Sequence, residues 1–401
     1  MIHRKLEKSM NTRFGQGKVI LIMGARQTGK TTLLRELLAG MGQAQETVFL
    51  NGDESDVRAL FENISSARLK ALFGGKRFVV IDEAQRIRDI GLKLKLAADN
   101  LPKTVQIIAT GSSSFDLANE VNEPLTGRKR EFRLFPLSFA EMVNYHGPLE
   151  EKRLLPHRLV YGYYPEVVTN PGNEQEVLRE LSDSYLYKDI LTWERIKKPE
   201  KLIKLLQALA LQIGSQVSYS ELGQLCSLDT KTVEKYLVLL EQCFVIFRLG
   251  SFSRNLRNEL KFSRKIYFYD NGIRNSLLAD FTIAETRRDT GALWENFLVS
   301  ERMKKLEYDC WLGEKSTPEK SGSEKSASGT RPHTWFWRTV SQQEIDYIEE
   351  RNGTISAWEF KWNSGMGSIK KYKKPQKFFE AYPGSSFTLL TPDVMEDFLL
   401  P

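Results

Sequence analysis

Cysteine is scarce in this 401-residue chain: Cys226, Cys243 and Cys310 are its whole supply, and no two stand as a C-x-x-C pair. That excludes a disulfide framework and a cysteine-built zinc site, and leaves reduced core or surface thiols of a cytoplasmic protein. Histidine is equally sparse, with four residues dispersed along the chain. No apolar run approaches the ~18 residues of a membrane span. The charged N-terminus does not lead into the apolar core of a signal peptide, so no membrane partner is expected.

What is present is ordinary for a folded chain: 41% apolar and 27% charged residues, enough for each domain to bury a core. At ~150 residues per domain, the length points to two or three domains. A formal net charge of +7 and a sequence pI near 9.0 permit contact with nucleic acid or an anionic surface without demanding it.

The most informative stretch is Gly24-Ala25-Arg26-Gln27-Thr28-Gly29-Lys30-Thr31, which follows the apolar run Val19-Ile20-Leu21-Ile22-Met23. It fits G-x-x-x-x-G-K-[ST] between a buried strand and a helix pattern beginning at Thr32. Glycines let the backbone wrap a phosphate so that successive N–H groups and the helix N-terminus face the anion. Lys30 then reaches the β- and γ-phosphates of ATP, and the Thr31 hydroxyl ligates Mg²⁺.

Downstream, Phe78-Val79-Val80-Ile81-Asp82-Glu83 is a buried strand ending in two acids. Ligands of parallel sheets sit beyond the C-terminal strand ends, which puts Asp82 beside Mg²⁺ and Glu83 where it polarises the attacking water. A further strand ends in Thr110-Gly111-Ser112-Ser113-Ser114. Ser112 reads either as a sensor of the γ-phosphate or as an ordinary turn residue. Arg128, in Leu125-Thr126-Gly127-Arg128, reads either as an arginine finger acting in cis or in trans within a homo-oligomer, or as a solvated basic turn.

These motifs, with Ile81-Asp82-Glu83-Ala84-Gln85 and Leu134-Phe135-Pro136-Leu137-Ser138-Phe139, resemble a prokaryotic AAA-type (AAA+ superfamily) P-loop ATPase family. Its members carry a C-terminal domain with restriction-endonuclease-like features. The resemblance runs in family order to near the C-terminus, with Ala25 standing where proline is frequent. Tyr161-Gly162-Tyr163-Tyr164-Pro165-Glu166 and Tyr185-Leu186-Tyr187-Lys188-Asp189-Ile190 resemble further signatures of the family, to which the sequence assigns no chemistry.

From about residue 201, a helix pattern, a second helix near Ser220, a turn at Ser227-Leu228-Asp229 and a third helix over 230–241 precede the alternating Val245-Ile246-Phe247-Arg248-Leu249. That is the winged helix-turn-helix order. Lys231 and Lys235 on the exposed face suggest DNA, whereas Glu234 and Glu241 suit a protein or interdomain module.

In the last third, Gly291-Ala292-Leu293-Trp294-Glu295 opens a helix, Tyr308 to Leu312 reads as a short strand, and 313–333 reads as a flexible insertion. Asp346 and Glu359 fall on two strands joined at Asn352-Gly353, and alternation puts Glu359 and Lys361 on one face. Two carboxylates with a lysine suit Mg²⁺-dependent phosphodiester chemistry, with Glu295 as a third acid. They also match the PD-(D/E)XK pattern that the resemblance implies. The basic run Lys370-Lys371-Tyr372-Lys373-Lys374 with Lys377 reads as a phosphate-backbone patch or a solvated helix face.

The expectation is an α/β multidomain chain: an AAA-type P-loop ATPase over 1–140, a helical connector over 141–200, a winged-helix-like domain over 201–270 and a PD-(D/E)XK nuclease-like domain over 271–401. Its cofactors would be ATP and Mg²⁺, and its nucleotide state would control a DNA-binding, nuclease-like domain. The alternative is a regulatory or scaffold ATPase whose nuclease-like domain is silent and binds protein or nucleic acid.

Overall fold

The computed structural model describes residues 2–42, 44–112, 125–183, 199–253, 264–313, 331–339, 343–362 and 375–400. The second tyrosine signature (185–190), Ser113, Ser114, residues 314–330 of the 313–333 insertion and the basic run 370–374 lie outside them, while Gly313 ends a helix and His333 begins a strand. The chain divides into two compact units. One comprises residues 1–137 with 242–244, and the other comprises 138–241 with 245–401.

In the first unit, β1 (Val19–Met23), β2 (Thr47–Asn51), β3 (Phe78–Asp82), β4 (Gln106–Gly111) and β5 (Lys129–Arg133) form one sheet in the order β2-β3-β4-β1-β5. Every pairing in it is parallel. A parallel sheet covered on both faces needs apolar residues at consecutive positions, and all five residues of β1 and of β3 are buried. The helix Lys30–Gly40 packs through Leu33, Leu34, Leu37 and Leu38, the spacing that makes one apolar stripe.

The second unit begins with helices. Ser138 caps Phe139–His146 through a reciprocal box with Glu141. Glu301 Oε2 accepts the Phe139 N–H at 2.7 Å, and Lys304 Nζ donates to Glu301 Oε1 at 2.6 Å; both side chains are buried. The first tyrosine signature resolves into a similar anchor. Asp270 accepts the Tyr163 N–H at 2.6 Å, and a Cβ on Gly162 (φ +72°) would stand 2.1 Å from an Asp270 oxygen, so only glycine fits. The Tyr163 hydroxyl donates to Glu151 at 2.6 Å. These residues carry packing and polar satisfaction.

Helices Pro199–Leu211, Tyr219–Cys226 and Thr230–Gln242 follow, with β6 (Gln216–Val217) between the first two, and β6, β7 (Ile246–Ser251) and β8 (Arg264–Phe268) pair antiparallel as β6-β8-β7. β7 also pairs parallel with β9 (His333–Arg338), at Gly250 with Trp335. The pairing continues through β10 (Glu344–Arg351) and β11 (Thr354–Phe360) to β12 (Ser386–Leu390). Segments that the sequence assigns to separate middle and C-terminal domains therefore share one seven-stranded sheet.

One expectation is corrected outright. Tyr308 to Leu312 is no strand; it lies in the helix Thr290–Gly313. Between Phe297 and Leu312 there is no glycine or proline to stop a helix, and buried Leu306 and Tyr308 sit on it without changing period. Truncating the buried anchor tests how much this unit leans on it. Glu301→Ala is expected to lower unfolding free energy by about 3–5 kcal/mol, because it breaks the buried pair with Lys304 and frees the Phe139 N–H it accepts, measured by urea denaturation.

Candidate functional site

The loop 24–31 leaves the C-terminal end of β1, between strands β4 and β5. Close backbone approach explains its first glycine: a Cβ on Gly24 would lie 2.1 Å from the Leu134 carbonyl oxygen. Left-handed backbone at Gln27 (φ +59°) and Gly29 (φ +89°) turns the loop back on itself, ahead of the helix that starts at Lys30. Such turns aim successive N–H groups into one concavity, where the helix N-terminus adds its partial positive charge. Lys30 is buried and folds into that concavity, donating to the Gly24 and Ala25 carbonyls at 2.9 and 2.8 Å. The Thr28 hydroxyl donates to the Ala25 carbonyl at 2.8 Å. Arg26 and Thr32 complete the stretch, and Ala25 is buried.

Strand β3 delivers the acids and β4 the hydroxyls of Thr110 and Ser112. Asp82 Oδ2 accepts the Thr31 hydroxyl at 2.7 Å, and Asp82 Oδ1 accepts the Thr110 hydroxyl in a short bond. Thr110 Oγ1 also accepts the Glu83 N–H at 3.2 Å. Glu83 stands in the left-handed region (φ +47°), at the turn out of the strand. Gln85 Nε2 then bridges Glu83 Oε2 at 2.6 Å and Ser112 Oγ at 3.0 Å. Thr31, Asp82, Glu83 and Ser112 are thus brought to one end of the sheet. Asp82 also lines a cavity of about 490 Å³ with Arg35, Phe49, Asn51 and Glu54. Thr31 and Asp82 together offer a hydroxyl and a carboxylate in reach of each other, a donor pair that fits Mg²⁺ arriving with a nucleotide.

Three arginines are placed by the fold. Arg128 lies just before β5, whose Lys129 pairs with Val19 at the entry end of β1. The loop leaves the other end of that five-residue strand, about 16 Å away. In one copy Arg128 does not reach the phosphate cradle; it pairs with Asp99 at 2.7 Å on the surface. Arg133, in register with Met23, is the β5 arginine at the loop end. Arg4 belongs to a lead-in to which the sequence assigns no role. Its buried guanidinium donates to the Thr28 carbonyl at 2.8 Å and the Phe135 carbonyl at 2.6 Å, bracing the loop from behind. No motif marks Arg4, because its partners are backbone carbonyls far away in sequence.

In the second unit, the β10–β11 hairpin turns through Asn352 (φ +52°) and Gly353 (φ +80°), the left-handed pair of a tight two-residue turn. With Tyr347 opposite Trp358, Asp346 faces Glu359, and Asp346 Oδ2 accepts the Phe360 N–H at 2.8 Å. Lys361 donates to Glu359 Oε1 at 2.8 Å. Burial, followed by the charges of Glu295 and Glu359, pushes the Asp346 carboxyl well above its usual range.

The sequence does not reveal Lys265. From β8 its Nζ donates to Glu295 Oε1 at 2.8 Å and lies 2.5 Å from Glu344 Oε1 and 3.9 Å from Asp346 Oδ1. Burial opposes that charge, yet Glu295, Asp346 and Glu344 overcome it and hold the ammonium protonated well above the ordinary lysine range. The Tyr267 hydroxyl donates to the same Glu295 oxygen at 2.7 Å. Of the expected metal set, Glu295 and Asp346 thus lie beside Lys265, and Glu359 beside Lys361. Among the described residues no group of three or more His, Cys, Asp or Glu is disposed to hold a metal ion.

A phosphate loop after β1, an Asp-Glu pair after β3 and the order β2-β3-β4-β1-β5 define the first unit as a P-loop nucleotide-binding domain. Comparison agrees: residues 16–143 match a family described as an AAA domain. Residues 152–283 and 290–391 match two domains of unknown function, DUF8612 and DUF4143. The chain is similar to an uncharacterized protein of Haemophilus influenzae, 27% identical over 63% of this chain and 68% of that one. It is also similar to an uncharacterized protein of Mycobacterium tuberculosis, 26% identical over 86% and 70%. A 57-residue stretch is 39% identical to the energy-coupling factor transporter ATP-binding protein EcfA1 of Thermotoga maritima, covering 14% of this chain and 22% of that one. Among solved structures, the Pif1 helicase of Candida albicans is similar at 14% identity over 45% of this chain and 48% of that one, with a TM-score of 0.26, at which the likeness carries no argument.

Arg4→Ala is expected to weaken nucleotide binding about tenfold, as the loop loses a charge-assisted brace worth about 1.5–3 kcal/mol, measured by isothermal titration.

Proposed function

We propose that the chain binds and hydrolyses ATP, and that its nucleotide state controls the second unit, which engages nucleic acid. The observation that carries the first part is the junction of Thr31, Asp82, Thr110 and Glu83 beside the loop. On arrival of the triphosphate, Lys30 exchanges the Gly24 and Ala25 carbonyls for phosphate oxygens, so its charge is already in position. Mg²⁺, held by Thr31 and Asp82, supplies charge neutralisation at the phosphates when bound. Glu83 orients and polarises the attacking water. Ser112 faces the γ-phosphate, and Gln85, hydrogen-bonded to both Ser112 and Glu83, holds the carboxylate in register with it. Arg128 is available only to a neighbouring copy, so any effect of Arg128→Ala on turnover requires an assembly.

For the second unit, the helix order 199–242 with its strands supports a winged-helix reading, and the exposed Lys231 and Lys235 on the last helix support DNA as ligand. The Asp346, Glu359, Lys361 set supports a nuclease-like ancestry for the sheet. Of the two expectations for that set, Lys265 favours the scaffold that binds without cutting.

Lys30→Ala is expected to abolish nucleotide binding. Glu83→Gln should retain binding and lose about 10²–10⁴ in turnover, read by phosphate release. Gln85→Ala should lower kcat and leave nucleotide affinity in place. Hydrolysis by Lys30→Ala at the parent rate would refute the reading. For the ligand, duplex DNA should bind with a salt-dependent affinity that differs between ADP and a non-hydrolysable ATP analogue. Absence of DNA binding in every nucleotide state would direct the search to a protein partner.

A further inference from the structure

At the end of the sheet opposite the phosphate loop, the first unit carries a cavity of about 940 Å³. The segments that line it lead into strands: Phe14 and Gly15 into β1, Gly74 to Arg77 into β3, and Lys103 and Thr104 into β4. The nucleotide belongs at the other strand ends, about 16 Å away along a five-residue strand. We infer that this cavity is a second anion site, which takes the phosphate backbone of a single nucleic-acid strand. It stands apart from the ATPase reading, which it does not need, and from the winged helix, which lies in the other unit.

Charge points that way first. Lys76, Arg77 and Lys103 line the cavity, with Glu46 the one acid among its lining residues. Among the described residues these three cations form no ion pair, whereas Arg86 and Arg128 of the same unit pair with Asp53 and Asp99. A lone surface lysine is usually just solvated, but three unpaired cations around one concave wall raise the local potential for an anion. Size and shape agree. The volume is near the top of the range for ligand pockets, about 300–1,000 Å³, and far exceeds what a single phosphate fills. The mouth is open: among the described residues no atom lies within 4 Å of where a Cβ on Gly15 or Gly75 would stand. An open cleft suits a strand passing through it better than a compact, enclosed ligand. An aromatic ring is also in place. Phe14 is half-buried and packs edge to face on Phe78, with ring centroids 5.3 Å apart. A partly exposed ring beside cations gives a base something to stack on, whatever the sequence. The wall is braced before any ligand arrives, since Gln106 Oε1 accepts the Gly15 N–H at 3.0 Å and Gln106 Nε2 donates to the Lys18 carbonyl at 2.8 Å.

The test uses the full chain and a fluorescent oligothymidylate of about 12 nucleotides, read by anisotropy over a salt series. A Lys231→Ala, Lys235→Ala background removes the lysines on the last helix of the second unit, and binding should persist in it. In that background, Lys76→Ala with Arg77→Ala and Lys103→Ala should weaken binding at least about tenfold. It should also reduce the slope of log affinity against log salt by about 2, at ~0.7 per phosphate contact. The three side chains are exposed or half-buried, so this variant should melt with the parent and bind nucleotide as the parent does. Glu46→Gln should tighten oligonucleotide binding by up to about fivefold, a gain that misfolding does not produce. Parent affinity and salt slope in the triple variant overturn the proposal. So does an oligonucleotide that fails to bind in the lysine-free background, including the case where tripolyphosphate or a polyglutamate peptide binds there instead.

Discussion

The carboxylate of Asp82 is the point on which the nucleotide-binding unit turns. One oxygen accepts the hydroxyl of Thr31 and the other that of Thr110, so a single side chain joins the loop after β1, the end of β3 and the end of β4. Because Thr110 also accepts the Glu83 N–H, the same junction fixes the backbone that carries the second acid. A buried charge is tolerated only where hydrogen bonds satisfy it, and here the groups that satisfy it are the ones the chemistry needs.

The second unit solves a similar problem differently. Its carboxylates also converge at strand ends and a helix, but their counter-charges are lysines of the chain. That balance is partial, since burial and then Glu295 and Glu359 still raise the Asp346 carboxyl. The sheet shared by β6 to β12 further means that a displacement of β8 or β7 is felt by β10 and β11, since hydrogen-bonded strands move together.

Much of this was legible beforehand wherever residues close in sequence carried the signal. The phosphate loop, the Asp82-Glu83 strand end and the Asn352-Gly353 hairpin each declare themselves through short-range chemistry. Arg4, Gln85 and Lys265 do not, because what they do depends on partners placed by the fold: two backbone carbonyls, Ser112 and a trio of acids. The place of Arg128 is hidden for the related reason that a motif gives order along the chain but not which end of a parallel strand a residue occupies. Tyr308 misleads through its strand-prone type, which yields to an uninterrupted helix.

The central claim is that nucleotide at the loop governs the second unit. Hydrogen exchange of the full chain, compared between ADP and a non-hydrolysable ATP analogue, tests it most directly. The account predicts that amides of β8, β10 and β11 change protection between the two nucleotides in the parent and not in Lys30→Ala. Identical exchange in those strands, with both nucleotides bound, would contradict it.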